Sequence, residues 1–141
     1  MTYSRQAGQA PVQQDSDVFR SQNILVLWDQ LVVNDTVERY SEACQVGSFR
    51  KFALYLRVYA ETTPTTLQLV PQFLEPRSGL WHDMLQGIFA SLFFEDTVHN
   101  TERQYVFHGD CAGREFRLKA VGVGTASSTY FILSAAVEFY N

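Results

Sequence analysis

The stretch of this 141-residue chain that comes nearest to a reacting centre is Gly109-Asp110-Cys111-Ala112-Gly113. It has the G-x-C-x-G form of a nucleophile elbow with cysteine in the serine position. Such an elbow works only on a sharp strand-to-helix turn that exposes the nucleophile. Arg114 to Val123, which follow, alternate as a strand, so a glycine-flexed β-turn is the reading. His82, His99 and His108 each sit near a carboxylate (Asp83, Asp96 and Asp110). None has the H-x-H spacing that puts two imidazoles on one strand face for a metal. Three distant histidines can converge inside a sandwich, as in a cupin-like oxygenase, but surface or turn positions are the expectation. Gly122-x-Gly124 is half of a dinucleotide fingerprint and precedes a strand, where the phosphate-binding version needs a helix. No catalytic residue, metal site or cofactor is therefore expected, and the chain is read as not an enzyme.

Aromatic residues offer a different chemistry. Trp28 and Trp81 with Tyr55, Tyr59, Tyr105 and Tyr130 have the makings of a sugar-stacking platform, and an apolar protein interface uses the same residue types. Tyr55, Arg57 and Tyr59 are the most telling, because they fall on one side of an alternating run. Tyrosine with arginine is the composition of contact hot spots.

The bulk numbers narrow the classes. A chain of this length is one domain, able to bury roughly two thirds of its unfolded surface without a metal or disulfide. A net charge of −4 with 18% charged residues argues against a nucleic-acid partner, since neutralising phosphates needs a basic face. Cys44 and Cys111 are too few for a disulfide scaffold and read as free thiols of a reducing compartment. The first residues lack the apolar core of a secretory signal, and no run approaches the roughly 18 apolar residues of a membrane span. No membrane contact is expected.

The elements that must position these residues are strands. Phe52, Leu54, Leu56, Val58 and Ala60 occupy even positions, against Lys51, Tyr55, Arg57, Tyr59 and Glu61 on odd ones, a period of two with one face buried. Leu67, Leu69 and Phe73 resume the alternation after Thr62-Thr63-Pro64-Thr65, and the pair reads as a β-hairpin. Pro71 removes a ladder donor, which places the second strand on an edge or at a bulge. Ile24 to Val33 is a strand interrupted by Asp29-Gln30, and Asn34-Asp35 turns the chain. Thr36 to Cys44 is a short edge strand. Leu80 to Met84 and Ser91 to Glu95 are short strands, with 85–92 able to form a helical turn between them. Arg103 to His108, Arg114 to Val123 and Thr129 to Tyr140 complete the set, the last with Phe131, Leu133, Ala135, Val137 and Phe139 on one face. Eight or nine short strands and no long helix give an all-β fold, an antiparallel two-sheet β-sandwich of jelly-roll type, over residues 21–141.

Residues 1–20 are of a different composition, rich in glutamine and without apolar periodicity, so they cannot offset their own ordering entropy by burial. They read as an extended N-terminal arm laid on a neighbouring subunit. Tyr3, Arg5, Val12, Val18 and Phe19 are its candidate contacts, beside Tyr55, Arg57 and Tyr59 of the sandwich.

The runs FRKFALYLRVYAETTPTTLQLVPQFLEPRSGLWHDM and HGDCAGREFRLKAVGVGTASSTYFILSAAVEFY resemble small β-sandwich virion proteins of tailed bacteriophages, the capsid decoration or cement proteins. The likeness covers about the last two thirds of the chain. It implies a structural subunit that binds the major capsid protein on the expanded shell, commonly as a homotrimer, and resides in the virion head after assembly in the host cytoplasm. Avidity from several modest contacts would do the reinforcing. A head–tail connector or completion subunit, or a carbohydrate-binding fibre or module, would have the same composition.

Overall fold

The computed structural model describes residues 24–62, 66–91, 93–95 and 101–141. The strands are β1 (Ile24–Val33), β2 (Arg39–Tyr40), β3 (Cys44–Gln45), β4 (Lys51–Glu61), β5 (Thr66–Glu75), β6 (Leu80–Asp83), β7 (Phe93–Glu95), β8 (Glu102–Asp110), β9 (Glu115–Val123) and β10 (Tyr130–Tyr140). Gly87–Ser91 form a 3₁₀ helix, the alternative read for 85–92, so the strand expected from Ser91 begins at Phe93. The strands make two antiparallel sheets. One runs β1-β10-β4-β8; the other runs β2-β9-β5-β6, with β3 also on β9 and β7 also on β5. No helix among the described residues is long and apolar enough to cross a membrane.

Most sequence neighbours lie across the sandwich from each other. The chain changes sheet between β1 and β2, β3 and β4, β4 and β5, β7 and β8, β8 and β9, and β9 and β10. That order is the jelly roll the strand pattern predicts. It also corrects the expected hairpin, because β4 and β5 sit in opposite sheets. Their apolar faces meet face to face, and Phe52 and Phe73 rings lie 6.0 Å apart. A hairpin and a sheet-crossing connection write the same alternation, and only the facing layers distinguish them.

Pro71 brings a second correction. Strand β5 is interior, paired with β9 on one side and with β6 and β7 on the other. The two short partners stop short of each other: β7 covers Thr66 to Gln68 and β6 covers Gln72 to Glu75. Pro71 falls in that gap. Its carbonyl accepts the Met84 N–H at 2.8 Å, and in extended backbone the N and O of one residue point the same way, so the missing donor faces the gap. Thr36 to Cys44 is also not one strand. Ser41 splits it, donating its N–H to Leu118 O and accepting the Leu118 N–H on Oγ, both at 2.9 Å. A hydroxyl there replaces a ladder carbonyl. Gly109 and Asp110, expected in a turn, are the last residues of β8.

The core is as alternation requires. Phe52, Leu54, Leu56, Val58 and Ala60 of β4, Phe116, Leu118 and Ala120 of β9, and Phe131, Leu133, Ala135, Val137 and Phe139 of β10 are all buried. Phe52 stands at its aromatic centre, 5.3 Å from the Phe116 ring and 5.5 Å from Phe89 of the 3₁₀ helix. Gly109 pairs with Phe52 across the β4–β8 ladder. A Cβ at Gly109 would lie 2.6 Å from Phe52 Cζ, so the ring occupies the space that a side chain would need. Gly109→Ala should lower unfolding free energy by about 1–3 kcal/mol through overpacking, and Phe52→Ala by about 3–5 kcal/mol through the cavity left. Urea denaturation read by circular dichroism measures both, and a Gly109→Ala chain as stable as the parent would contradict this packing.

Candidate functional site

The outward face of the β1-β10-β4-β8 sheet is built by the residues that alternation excludes from the core. Register sets Tyr55 opposite Ala136, Arg57 opposite Ser134 and Tyr59 opposite Ile132 on β10. On the far side it sets Tyr55 opposite Val106 and Arg57 opposite Gln104 on β8. The three sandwich residues singled out from the sequence thus share one face. Tyr55 Oη donates to Glu138 Oε1 at 2.9 Å, and Tyr59 Oη donates to Glu61 Oε1 at 2.8 Å. The carboxylate of Glu61 beside it, with some burial, raises the Tyr59 phenol above its ordinary range. Arg57 is half-exposed and reaches Glu102 at only 3.9 Å, an ion pair of little worth in water. Around these lie exposed Ile24, Val26, Val32 and Val106.

A hollow of about 500 Å³ opens on this face, lined by Trp28, Asp29, Tyr55, Arg57, Tyr105 and Ser134 among others. Its shape comes from β1. Between Val26 and Leu31 the register slips twice against β10, and Gln30 takes a φ of 58°, which only a local bulge accommodates. The Gln30 N–H donates to Ser134 Oγ at 3.0 Å. Asp29-Gln30, read from the sequence as an interruption, is therefore the bulge that forms the rim. Glu138 was missed: it is 5% exposed and is an acid set between Val137 and Phe139, the signal that could have found it.

The histidines singled out from the sequence do not converge. His82 lies on the β2-β9-β5-β6 sheet beside Glu75, 3.1 Å away. His108 lies on the other sheet, with Nδ1 3.0 Å from Tyr140 Oη. His99 falls outside the described residues, as do Tyr3, Arg5, Val12, Val18 and Phe19 and the expected arm of residues 1–20. Among the described residues, no three of His, Cys, Asp and Glu are grouped to hold a metal. Of the six aromatic residues read as a sugar platform, Trp28, Tyr55, Tyr59, Tyr105 and Tyr130 share one sheet, with Trp28, Tyr55 and Tyr105 lining the hollow, and Trp81 stands apart. Trp28 belongs to one sheet and Trp81 to the other, where the Arg117 guanidinium sits 4.2 Å from the Tyr40 ring centre and 4.4 Å from that of Trp81. Arg117 is held in turn by Gln72, whose Oε1 accepts from Nε at 2.7 Å.

Cys44 and Cys111 are free thiols. No helix follows Cys111; the chain runs into β9. Burial, then the charge of Asp110, pushes the Cys111 thiol up to about 11, away from the thiolate a nucleophile needs.

These features define an all-β jelly roll with one amphipathic outward face. No protein-family model matches the chain, and no curated protein does. Among solved structures, a chain from the structure of infectious bursal disease virus, Gx strain, superposes over 81% of this chain with a TM-score of 0.49 and 10% sequence identity. This chain spans 30% of that one. At such identity no residue role passes from one to the other.

With a thiol at about 11, the Cys111 thiolate fraction at pH 8 is about 10⁻³, against about a quarter for an unperturbed cysteine near 8.5. Iodoacetamide should therefore label Cys111 on the order of 10² times more slowly in the folded chain than in urea. Folded-state labelling should rise about tenfold per pH unit up to that value. Peptide mass spectrometry reads both, and equal rates in the two states would contradict the burial of the thiol.

Proposed function

We propose that this chain is a structural virion protein that acts by protein–protein contact, as a capsid decoration or cement subunit on the major capsid protein of a tailed-phage head. The observation that carries the reading is the outward face of the β1-β10-β4-β8 sheet. There Tyr55, Arg57 and Tyr59 stand together among exposed Ile24, Val26, Val32 and Val106. Aromatic rings beside a weakly paired arginine have the composition of an interface centre. Apolar side chains gathered on one face mark an interaction site more often than scattered ones do. Jelly rolls also serve as lectin domains and cupins, so the fold alone supports the role only by analogy.

The mechanism is mechanical. A rigid sandwich presents the same face in every copy, so a homotrimer would engage several shell subunits at once, and linked contacts raise effective concentration without a single strong one. Residues 1–20 would extend that grip to a neighbour.

Co-sedimentation with shells assembled from the cognate major capsid protein tests the proposal. Binding is expected to expanded shells and not to unexpanded ones; binding to neither overturns it. Tyr55→Ala and Tyr59→Ala should each weaken that binding, by about 30-fold if the residue supplies the roughly 2 kcal/mol of a hot spot. Unchanged affinity in both would remove this face from the interface.

A further inference from the structure

All but one of the sheet edges among the described residues are blunted in ways that keep a strand from joining another chain. Strand β1 slips twice against β10 and bulges at Gln30. On the other sheet, β2 and β3 are two residues each and are split at Ser41, and β6 and β7 leave a gap between them. Strand β8 has none of these features. Its nine residues, Glu102–Asp110, pair with β4 without a slip and include neither proline nor lysine. Among the described residues, no strand pairs with its other side.

The ladder with β4 decides which groups face that side. Cys111 donates its N–H to Arg50 O at 2.7 Å, one step beyond the pair of Asp110 with Lys51 in the same register. Bonded and non-bonded pairs alternate along an antiparallel ladder, so Gly109, Phe107, Tyr105 and Arg103 are the residues bonded to β4. The N–H and C=O groups of Glu102, Gln104, Val106, His108 and Asp110 therefore point away from it. The same residues carry the outward side chains, since Val106 lies opposite Tyr55 and Gln104 opposite Arg57.

Such a row of backbone donors and acceptors is completed by another extended strand, and the sequence of β8 is complementary to itself. A two-fold axis normal to the sheet keeps outward side chains on the outward face, so an even-numbered residue must meet an even-numbered one. With the axis at Val106, Glu102 would meet Asp110 of the second copy, setting like charges together at both ends. With the axis at Phe107, Glu102 would fall outside the ladder. With the axis at Tyr105, Glu102 meets His108 and Gln104 meets Val106, each twice. His108 Nδ1 lies 3.0 Å from Tyr140 Oη; when it accepts from that hydroxyl, Nε2 carries the ring proton and can donate to a carboxylate.

We propose that the β8 edge pairs antiparallel with β8 of a second copy about a two-fold axis at Tyr105, joining the two four-stranded sheets into one. About eight backbone hydrogen bonds close the seam. The inference goes beyond the assembly reading above, because it uses an edge and leaves Tyr55, Arg57 and Tyr59 open to a further partner.

Light scattering on the full chain at micromolar concentration should give an even number of copies, with far-UV circular dichroism confirming that each variant is folded. A monomer or an isolated trimer overturns the pairing. Val106→Pro removes an outward N–H without touching the bonds to β4, and it should weaken association at least tenfold. His108→Glu sets an acid against Glu102 and should do the same, and adding Glu102→Lys to it should restore the assembly. An unchanged mass for Val106→Pro, or no restoration by the exchange, overturns the register. Amide hydrogen exchange read by NMR reports the seam itself: the Gln104 and Val106 amides should exchange at least tenfold more slowly in the parent assembly than in the dissociated His108→Glu chain. Equal rates overturn the pairing, whether the edge is bare in both or covered in both by residues of its own chain. The two proposals fail separately. A paired chain that binds no shell loses the virion role alone, whereas shell binding by a chain that never pairs loses this inference alone.

Discussion

The unbroken ladder between β4 and β10, from Tyr130 opposite Glu61 to Tyr140 opposite Lys51, is the constraint on which the rest of the domain depends. Side chains alternate with a period of two, so a slip of one residue would exchange every inward group for an outward one. In the observed register Phe52 and Phe139 face the core together, with Leu54 and Val137, Leu56 and Ala135, and Val58 and Leu133. The same choice places Tyr55, Arg57 and Tyr59 outside beside Ala136, Ser134 and Ile132. Core and outward face are two sides of one pairing. Each inward residue contributes about 1–3 kcal/mol on burial, less for alanine, so the core fixes the register and the outward face follows from it.

What the sequence made legible follows the same line. Alternation was readable in β4, β9 and β10 because their large core residues fall on one parity, and every residue assigned to those inner faces is buried, although Ala53 and Glu138 of the other parity are buried too. Which strand lies beside which was not readable, because alternation reports a buried face and not the partner that buries it. Hence β4 and β5 read as a hairpin although they face each other across the core. Pro71 was correctly read as a missing donor, but an edge is one of several ways to accommodate it; the gap between β6 and β7 is another. Ser41 is a third kind of case. A hydroxyl that substitutes for a ladder carbonyl has no sequence signature, since its role depends on Leu118 far along the chain.

The outward face was partly legible. Tyr55, Arg57 and Tyr59 fall on one parity of a strong strand, so their common face could be read directly. The hollow could not, because it needs Asp29-Gln30 to leave the ladder on β1 and Ser134 on β10 to bind the bulge. Glu138 is similar: it is buried, and its carboxylate accepts the Tyr55 hydroxyl from the neighbouring strand. Features that rest on two strands at once lie beyond a reading that takes the strands singly.

The two outward faces commit their polar residues differently. On the β2-β9-β5-β6 sheet, Arg117 is held between Tyr40 and Trp81 and bonded to Gln72, Gln72 donates to Asp83 at 2.7 Å, and Lys119 pairs with the same Asp83 at 3.4 Å. A partner there would have to break contacts already made, at the cost of leaving polar groups unpaired. On the β1-β10-β4-β8 sheet, Ile24, Val26, Val32 and Val106 are exposed, Tyr55 and Tyr59 are bonded to Glu138 and Glu61, and Arg57 has a stretched, half-solvated ion pair with Glu102. Covering that face would remove apolar surface from water, which is favourable, less the cost of any hydrogen bond of Tyr55 or Tyr59 that a partner displaced. The proposed contact would therefore draw on the exposed apolar side chains of this face and on Arg57, whose ion pair is weak.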